Sequence, residues 1–254
     1  MKILIAPDKF KDSLSAIEVC NALTSGLKKN NSSTNIFSCP MADGGDGSLK
    51  ILNHYLDLKP QELKVNDPLF NSIKSTYYIS QNTAYIEMSL ASGLDLLDKK
   101  DRNCMYTSSF GTGELINDAI KKGATTINLY VGGSATNDCG IGIASALGFK
   151  FYDSSNNLLS PVGKNLMLIN RIDKSNVQFN FQDIKFKVLT DVNNILYGKN
   201  GAAYIYAAQK GASPIEIEKL DKGLLNFESK LRAHGFPSIA KIPGSGAAGG
   251  VGGG

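Results

Sequence analysis

Cysteine and histidine are scarce in this 254-residue sequence, which contains four of the former and two of the latter. The cysteines lie far apart and never form a C-x-x-C spacing, which argues against a zinc site and against a disulfide framework. The histidines, His54 and His234, are typical of a helix surface and of a C-terminal helix cap. Without a suitably placed histidine, a hydrolase triad is disfavoured.

Long apolar runs and long charged runs are missing as well. No stretch approaches the roughly 18 apolar residues of a membrane helix, and Asp8 interrupts the apolar start before a signal-peptide core could form. We therefore expect a cytoplasmic protein with no membrane partner. The net charge of +4 is spread along the chain, with no run longer than a pair such as Lys99-Lys100. This pattern argues against a nucleic-acid partner, although a mildly basic surface would help to collect small anionic substrates.

Two familiar nucleotide-binding motifs are also absent from the sequence. There is no G-x-x-x-x-G-K-[ST] segment, which excludes a P-loop kinase. The first predicted strand is followed by DKFKDS, where a dinucleotide-binding fold would carry G-x-G-x-x-G. This difference disfavours a conventional NAD-dependent dehydrogenase.

The hydrophobic pattern predicts an α/β protein, and the length favours two domains. An apolar strand over 2–6 precedes a Ser15–Glu18 capping box and a helix, and a strand over 35–39 precedes a second helix. After the break at Asp67-Pro68, two β-rich stretches joined by residues 80–82 predict a hairpin. The further predicted elements are a helix over 114–119, a strand over 126–131, a helix over 140–147, a strand over 186–189 and a capped helix from Ser213 to Leu231.

The segment Val131–Asp138, VGGSATND, lies between a predicted strand and a predicted helix. In such a turn the backbone N–H groups of the two glycines can converge on an anion at the positive end of the helix dipole. Ser134 and Thr136 could donate hydroxyl hydrogen bonds to phosphate oxygens, and Asp138 could orient Mg²⁺. A helix cap is the alternative, because Ser, Thr, Asn and Asp also favour helix starts.

Carboxylates and lysines also follow the other predicted strands. Asp43, in the turn MADGGDGS, is a candidate general base or metal ligand, because phosphoryl transfer to an alcohol needs a proton acceptor. An Asp-Gly turn is the alternative there. Asp191 ends a later strand, and the PDKFKDS loop, Lys199 and Lys210 supply lysines that could neutralise phosphate charge. Since ligands of open α/β sheets bind at the carboxyl ends of strands, the pattern predicts a phosphoryl-transfer site there.

The chain carries seven motifs in order: IAPDKFKDSLSA near the start, MADGGDG at 41–47, SSFGTGELI at 108–116, GGSATND at 132–138, TDV at 190–192, NGAAYIYAAQKGAS at 200–213 and PGSGAAGG at 243–250. Together they resemble the bacterial glycerate kinase family along the whole chain. This resemblance implies ATP-dependent phosphorylation of D-glycerate, usually to 2-phosphoglycerate. It also implies a Rossmann-like domain and a second mixed α/β domain, with the active site in the cleft between them.

The resemblance marks site residues at the matching positions. We expect Asp43, Asp191 and Lys11 to be catalytic and Asp138 to bind the metal, with ATP and Mg²⁺ as cofactors. The first motif departs from the commoner PDSFKGS form by a lysine for serine and an aspartate for glycine, which predicts retained chemistry with an altered grip on the substrate. The residues expected from the resemblance to bind ATP or substrate are Asp8, Ser13, Gly44, Gly45, Ser134, Asn137, Lys199 and Lys210, and the turn itself adds Gly132, Gly133 and Thr136.

The same resemblance predicts how the chain divides. We expect the first part of a Rossmann-like domain over 1–65, a second α/β domain over 66–243 and an interrupted end over 244–254, where seven of eleven residues are glycine. Family members extend past PGSGAAGG into a TGEGR-type motif, so we expect a truncated chain whose Rossmann-like domain continues beyond residue 254. Two alternatives stay open: an inactive fragment that binds nucleotide or has a regulatory role, and a kinase for another small hydroxy-acid.

Overall fold

The computed structural model describes residues 1–10, 13–30 and 32–254. None of the helices in these residues is long and apolar enough to cross a membrane. The strands are β1 (Lys2–Ile5), β2 (Asn35–Ser38), β3 (Lys59–Asn66), β4 (Ser72–Ser80), β5 (Thr83–Glu87), β6 (Thr126–Tyr130), β7 (Lys150–Tyr152), β8 (Arg171–Asp173) and β9 (Lys185–Leu189). The α-helices are α1 (Ala16–Asn30), α2 (Ser48–Tyr55), α3 (Ser89–Ser92), α4 (Phe110–Lys121), α5 (Ile141–Ala146), α6 (Ala202–Tyr206) and α7 (Pro214–Ala233).

The N-terminal unit consists of the parallel strands β1 and β2 with helices α1 and α2. Its predicted order of strand, helix, strand and helix is confirmed. The predicted capping box is also present, because Glu18 Oε2 accepts hydrogen bonds from the Ser15 N–H at 2.8 Å and from the Ser15 hydroxyl at 2.7 Å. The Glu18 N–H donates back to Ser15 Oγ at 3.3 Å. These bonds satisfy backbone donors that the first turn of α1 would otherwise leave without partners.

The main sheet has five strands in the order β3-β4-β5-β6-β9. The predicted hairpin is confirmed as the antiparallel pair of β4 and β5, with Gln81 at a φ of 52° in its turn. Strands β5, β6 and β9 are parallel, so their carboxyl ends meet at one edge of the sheet. The residues that end these strands are Glu87, Tyr130 and Leu189. This edge is where open α/β sheets bind ligands.

Strand β3 is an element that the hydrophobic pattern does not predict. Its sequence, KPQELKVN, is charged and contains Pro60, which lacks a backbone donor. The strand forms nevertheless because it lies at the edge of the main sheet, where proline is tolerated. Its antiparallel pairing with β4 extends over its whole length.

Helix α4 is longer than the predicted helix over 114–119. It begins at Phe110, so Gly111 and Gly113 lie within its first turn and not before it. An added Cβ at Gly113 would lie 2.7 Å from atoms of α5, and one at Gly111 would collide with the Asn66 C=O. These glycines therefore allow close packing of the helix, a role that sequence spacing alone does not distinguish from ligand binding.

Two apolar cores hold the elements together. One lies against the main sheet and includes the fully buried Leu115 and Ile127 from α4 and β6. The other packs α7 against the small antiparallel sheet of β7 and β8, with Phe151 and Leu224 buried. The predicted capping box of Ser213–Glu216 is confirmed at the start of α7.

The glycine-rich segment 244–254 packs against the VGGSATND segment. Ala247 and Val251 are buried in the core beside the main sheet. The Cys139 N–H donates a hydrogen bond to the Gly249 C=O at 3.0 Å. Gly249 has a φ of 68°, and a Cβ added there would collide with the Thr136 C=O. Glycine therefore allows the two segments to approach closely.

Candidate active site

A cavity of about 260 Å³, here called the small cavity, lies at the carboxyl ends of β5, β6 and β9. Among the described residues, its wall combines carboxylates from three segments, one lysine and the two-glycine turn after β6. Its volume suits a polyphosphate or a small acid better than a complete nucleotide. The polar side chains on its wall are Asp46, Asp95, Ser134, Thr190, Asp191, Tyr206, Gln209 and Lys210.

The turn after β6 places backbone donors at the small cavity. Gly133 has a φ of 69°, a left-handed conformation that favours glycine. Within the described residues, the N–H groups of Gly132 and Gly133 donate to no protein acceptor. The Leu94 N–H donates to the Gly133 C=O at 2.8 Å, and the Ala135 N–H donates to the Ser92 C=O at 2.9 Å. These bonds fix the turn against the segment after β5 and leave its two glycine N–H groups available to a ligand.

Asp46 lies directly against this turn. A Cβ added at Gly133 would collide with Asp46 Oδ1, and one at Gly132 would collide with Gly45 Cα. Lys9 Nζ donates to the Asp46 C=O at 2.7 Å and lies 3.7 Å from Asp46 Oδ2. Asp46 Oδ1 is buried and has no hydrogen-bond partner among the described residues. Because such an atom is costly to leave unpaired, it is suited to a cation or a hydroxyl group of a ligand.

Glu87, the last residue of β5, joins the N-terminal unit to the main sheet. It is 2% exposed, and its carboxylate accepts hydrogen bonds from the Gly47 N–H at 2.7 Å and the Leu49 N–H at 3.1 Å. The Ser89 hydroxyl donates to it at 2.9 Å. Glu87 thus caps the N-terminus of α2, whose positive end faces a protein carboxylate and not an open phosphate site.

Lys210 brings a buried positive charge to the small cavity. It is 4% exposed, and its Nζ donates to Ser134 Oγ and to the Thr136 C=O, both at 2.8 Å. Burial lowers the pKa of Lys210 from 10.5 to about 8, while Cys104 and Asp138 oppose the decrease. The side chain is therefore mostly protonated at neutral pH. An ammonium has three donors, so one remains for a ligand.

Asp138 does not face the small cavity. It is fully buried, and its carboxylate accepts hydrogen bonds from the Ser109 N–H and hydroxyl, both at 2.8 Å, and from the N–H groups of Gly140 and Gly142. Burial raises the pKa of Asp138, and these hydrogen bonds oppose the rise. The positive end of α5 faces this carboxylate. The geometry is that of a helix cap, so it does not support the metal-binding role expected for Asp138.

Thr136 and Asn137 are also buried and do not line the small cavity. The Thr136 C=O accepts the hydrogen bond from Lys210. Thr136 Oγ1 and both polar atoms of the Asn137 side chain have no partner among the described residues. Their contact with ATP or substrate stays a prediction.

Asp191 is exposed on the wall of the small cavity, just after β9. Burial and the neighbouring Asp191 carboxylate raise the pKa of Tyr206, whose hydroxyl donates to Asn194 Oδ1 at 2.6 Å. Asp95, the third carboxylate on the wall, lies 3.6 Å from a guanidinium nitrogen of Arg102. Because Asp191 is exposed on this wall, its carboxylate is available to a ligand in the small cavity.

Asp43 and Gly44 line a second cavity of about 650 Å³, here called the large cavity. It lies between the N-terminal unit and the end of β9. Asp43 Oδ1 accepts a hydrogen bond from the Gly45 N–H at 2.8 Å, the arrangement of an Asx turn. The two aspartates of the 41–47 motif are thus divided, with Asp43 at the large cavity and Asp46 at the small one. Thr190 lines both cavities.

Four other predicted residues within the described part of the chain line neither of these cavities: Asp8, Ser13, Gly45 and Lys199. Asp8 lines a third cavity of about 130 Å³. Ser13 and Lys199 are exposed and line none of the three cavities. Lys11 lies outside the described residues. The roles expected for these four residues and for Lys11 stay predictions.

Reasoning from the sequence misses Asp46 and Glu87 as parts of the site, and it includes Lys9 only as one of the lysines of the PDKFKDS loop. Asp46 has a signal, because it repeats the Asp-Gly pattern of Asp43 within one motif. Glu87 also has one, since a carboxylate that ends an otherwise apolar strand points to a partner at the edge of the sheet. Lys9 has none beyond its place in a charged loop.

Comparison with known proteins gives consistent matches along the chain. The model of the glycerate kinase family matches residues 3–254. A glycerate kinase of Halalkalibacterium halodurans and a glycerate 2-kinase of Escherichia coli K12 are each 40% identical over 254 residues, which are 99% of this chain and 67% of the relative. The crystal structure of a candidate glycerate kinase 2 from Salmonella typhimurium LT2 has a TM-score of 0.86 and 36% identity, covering 99% of this chain and 68% of that one. This similarity confirms the predicted mixed α/β fold class.

Proposed function

This chain belongs to the glycerate kinase family, and we propose that it transfers the γ-phosphoryl group of ATP to D-glycerate, with 2-phosphoglycerate as the product. The observation that carries the proposal is the convergence of Lys210, Asp191 and the turn Gly132-Gly133 on one small cavity. Phosphoryl transfer needs positive charge and N–H donors around the phosphoryl oxygens, together with a group that accepts the proton of the attacking hydroxyl.

Lys210 and the glycine turn are the phosphate-binding groups of this proposal. The third N–H of the Lys210 ammonium and the N–H groups of Gly132 and Gly133 would bind non-bridging phosphate oxygens. Ser134 accepts one hydrogen bond from Lys210 and can donate its own hydroxyl hydrogen to the same phosphate. The fold fixes these groups before a substrate arrives, so they can stabilise the transferring phosphoryl group with little reorganisation.

Asp191 is the proton acceptor that the geometry favours. In the proposed step the glycerate hydroxyl oxygen attacks the γ-phosphorus, its proton passes to the Asp191 carboxylate, and the bond to the bridging oxygen breaks to release ADP. Asp43, the other expected base, faces the large cavity, so it is less well placed to serve a hydroxyl group in the small one.

Asp46 is the residue that would hold Mg²⁺. Its Oδ1 is buried without a partner and packs against Gly133. No group of three or more His, Cys, Asp or Glu side chains that could hold a metal occurs within residues 1–10, 13–30 and 32–254. Mg²⁺ is commonly bound by one or two carboxylates together with substrate phosphates, so the residues fit a metal that is shared with a nucleotide. Bound there, the metal would neutralise charge on the phosphates that three carboxylates around the cavity would otherwise repel.

Turnover of the 254-residue chain tests this proposal directly. ADP release is measured from ATP, Mg²⁺ and D-glycerate, with L-glycerate and lactate as alternative acceptors and with EDTA as the metal-free control. Phosphorus NMR identifies the product as 2- or 3-phosphoglycerate. We expect D-glycerate to be the preferred acceptor and EDTA to abolish turnover. Turnover with another hydroxy-acid alone would change the substrate, and nucleotide binding without turnover of any acceptor would replace the kinase proposal by that of a nucleotide-binding module.

A further inference from the structure

The large cavity has no part in the chemistry proposed above, although it shares the lining residue Thr190 with the small cavity. Its volume of about 650 Å³ falls within the range of ligand pockets, and it is more than twice that of the small cavity. Loop 41–47 separates the two, with Asp43 on one side and Asp46 on the other. A ligand that places a polyphosphate in the small cavity could therefore place its remaining part in the large one.

Helix α2 provides one wall of the large cavity, and this wall is aromatic and apolar. Tyr55 is 50% exposed, and its hydroxyl donates to the Pro40 C=O at 2.9 Å, which holds the ring in place. Tyr130, which is 9% exposed, forms part of the floor. Ile51 and Leu52 complete this wall. Such a surface suits the flat face of an aromatic ligand, because bases stack well on fixed aromatic side chains.

The opposite wall is the open edge of β9. The Lys185 N–H and the Leu189 C=O both form hydrogen bonds on the side of β6, at 2.8 and 3.4 Å. Because alternate residues of a strand face opposite neighbours, the backbone of Val188 faces away from β6. Among the described residues, the Val188 C=O and the Thr190 N–H have no hydrogen-bond partner, and both residues line the large cavity.

These two backbone groups complement the hydrogen-bonding edge of adenine better than that of guanine. Adenine offers an amino donor beside a ring nitrogen that accepts, which complements a C=O followed two residues later by an N–H. Guanine carries a carbonyl oxygen in place of the amino group and an N–H in place of the acceptor. The guanine carbonyl oxygen would then face the Val188 C=O, and the guanine N–H would face the Thr190 N–H. Two acceptors and two donors would oppose each other, which disfavours guanine.

Resting on the kinase function proposed above, we infer that the large cavity binds the adenosine moiety of the phosphoryl donor. The base stacks on Tyr55 and meets the Val188 C=O and the Thr190 N–H. Asp43 Oδ1 is engaged by the Gly45 N–H, which leaves Oδ2 to accept a hydrogen bond from a ribose hydroxyl. The phosphates pass Thr190 into the small cavity.

The chain contains no tryptophan, so the variant Tyr55→Trp carries a single fluorescent indole on the proposed stacking wall. Tyr204→Trp is the matched control, because Tyr204 is an exposed tyrosine that lines neither cavity. Leu52→Trp provides a second reporter in the large cavity if the first variant fails to fold by circular dichroism. The probes are adenosine, ADP, GDP and inorganic tripolyphosphate, and no turnover is needed.

We expect ADP and adenosine to quench the tryptophan at position 55, tripolyphosphate to leave it unchanged, and GDP to bind at least tenfold more weakly than ADP. In turnover assays we expect Tyr55→Leu to raise the KM for ATP about tenfold, the effect of losing one stacked base, with the KM for glycerate unchanged. Three results would overturn the inference. They are quenching of the control alone, no quenching at either cavity reporter, and equal binding of ADP and GDP. Quenching by adenosine without turnover of glycerate would instead leave the adenosine site standing and remove the proposed kinase reaction.

Discussion

Replacing Lys210 by methionine separates the function of the small cavity from the stability of the fold. The substitution removes the ammonium and keeps a long unbranched side chain at a position that is 4% exposed. Two effects on the free energy of unfolding oppose each other. The variant escapes the cost of a buried charge, but it leaves Ser134 Oγ and the Thr136 C=O without the Lys210 donor.

The pKa of Lys210 sets the size of the first effect. Its decrease from 10.5 to about 8 corresponds to about 3 kcal/mol against the charged form, at about 1.4 kcal/mol per pKa unit. Loss of the donor costs roughly 1–3 kcal/mol for each buried acceptor that stays unpaired. The two acceptors together lose roughly 2–6 kcal/mol against a gain of about 3 kcal/mol, so we expect the free energy of unfolding at pH 7 to change by no more than about 3 kcal/mol.

Activity should respond far more strongly than stability. An ammonium aimed at the transferring phosphoryl group resembles other fixed electrostatic groups, whose removal lowers kcat by roughly 10²–10³-fold. Stability is measured by urea unfolding and activity by ADP release. Lys222→Met on the exposed face of α7 is the control, and it should change neither quantity. A Lys210→Met variant that keeps its activity, or that loses more than about 4 kcal/mol of stability, would refute this reasoning.

The pH dependence provides an independent check with a defined sign. The unfolded chain keeps the Lys210 proton up to about pH 10.5, whereas the folded chain releases it near pH 8. Between these values the unfolded state binds more protons, so the contribution of Lys210 to stability rises with pH. The free energy of unfolding of the unmodified chain, minus that of Lys210→Met, should therefore increase from pH 8 to pH 10.5. A difference that stays flat or decreases would show that the Lys210 charge is not buried.

Three further predictions concern single atoms of the site. Gly133→Ala should lower kcat/KM at least tenfold, because its Cβ displaces Asp46 Oδ1. The control Gly123→Ala, with a φ of 91° and no atom within 4 Å of the added Cβ, should cost only the strain of its left-handed backbone and keep full activity; equal activities of the two variants would contradict the close packing. Asp191→Asn should lower kcat by roughly 10²–10⁴-fold with little change in the KM for ATP, and steady-state kinetics showing the reverse would remove Asp191 as the base. Glu87→Gln should lower the free energy of unfolding by roughly 1.5–3 kcal/mol, since the capping hydrogen bonds lose their charged acceptor; urea unfolding of that variant without any loss would contradict the capping role.

The elements that the sequence predicts are those specified by residues close together in the chain. The strand over 126–130 and the hairpin of β4 and β5 follow from local apolar and β-branched patterns. The capping boxes at Ser15 and Ser213 depend on pairs only three residues apart. Strand β3 escapes prediction because its stability comes from its pairing with β4 and not from its own composition.

The contents of the site are harder to predict because they depend on which side chains meet. Lys210 reaches Ser134 across 76 positions of sequence, and no local pattern marks it as buried. An aspartate such as Asp138 is suited both to binding a metal and to capping a helix. Only the fold shows that its carboxylate accepts hydrogen bonds from the N–H groups around it. Asp43 and Asp46 share one motif, yet opposite sides of a single loop carry them to different cavities.

The two cavities have the same construction, which bears on how a ligand would act on the fold. In each, loop 41–47 of the N-terminal unit forms one wall and the carboxyl edge of the main sheet forms the other. The contact between these walls depends on Glu87, which holds the start of α2, and on Gly132 and Gly133, which admit no side chain. A nucleotide that fills both cavities would touch both walls, so its binding energy would add to the contact between the unit and the sheet. Nucleotide should therefore stabilise the N-terminal unit more than α7, which contributes no residue to either cavity.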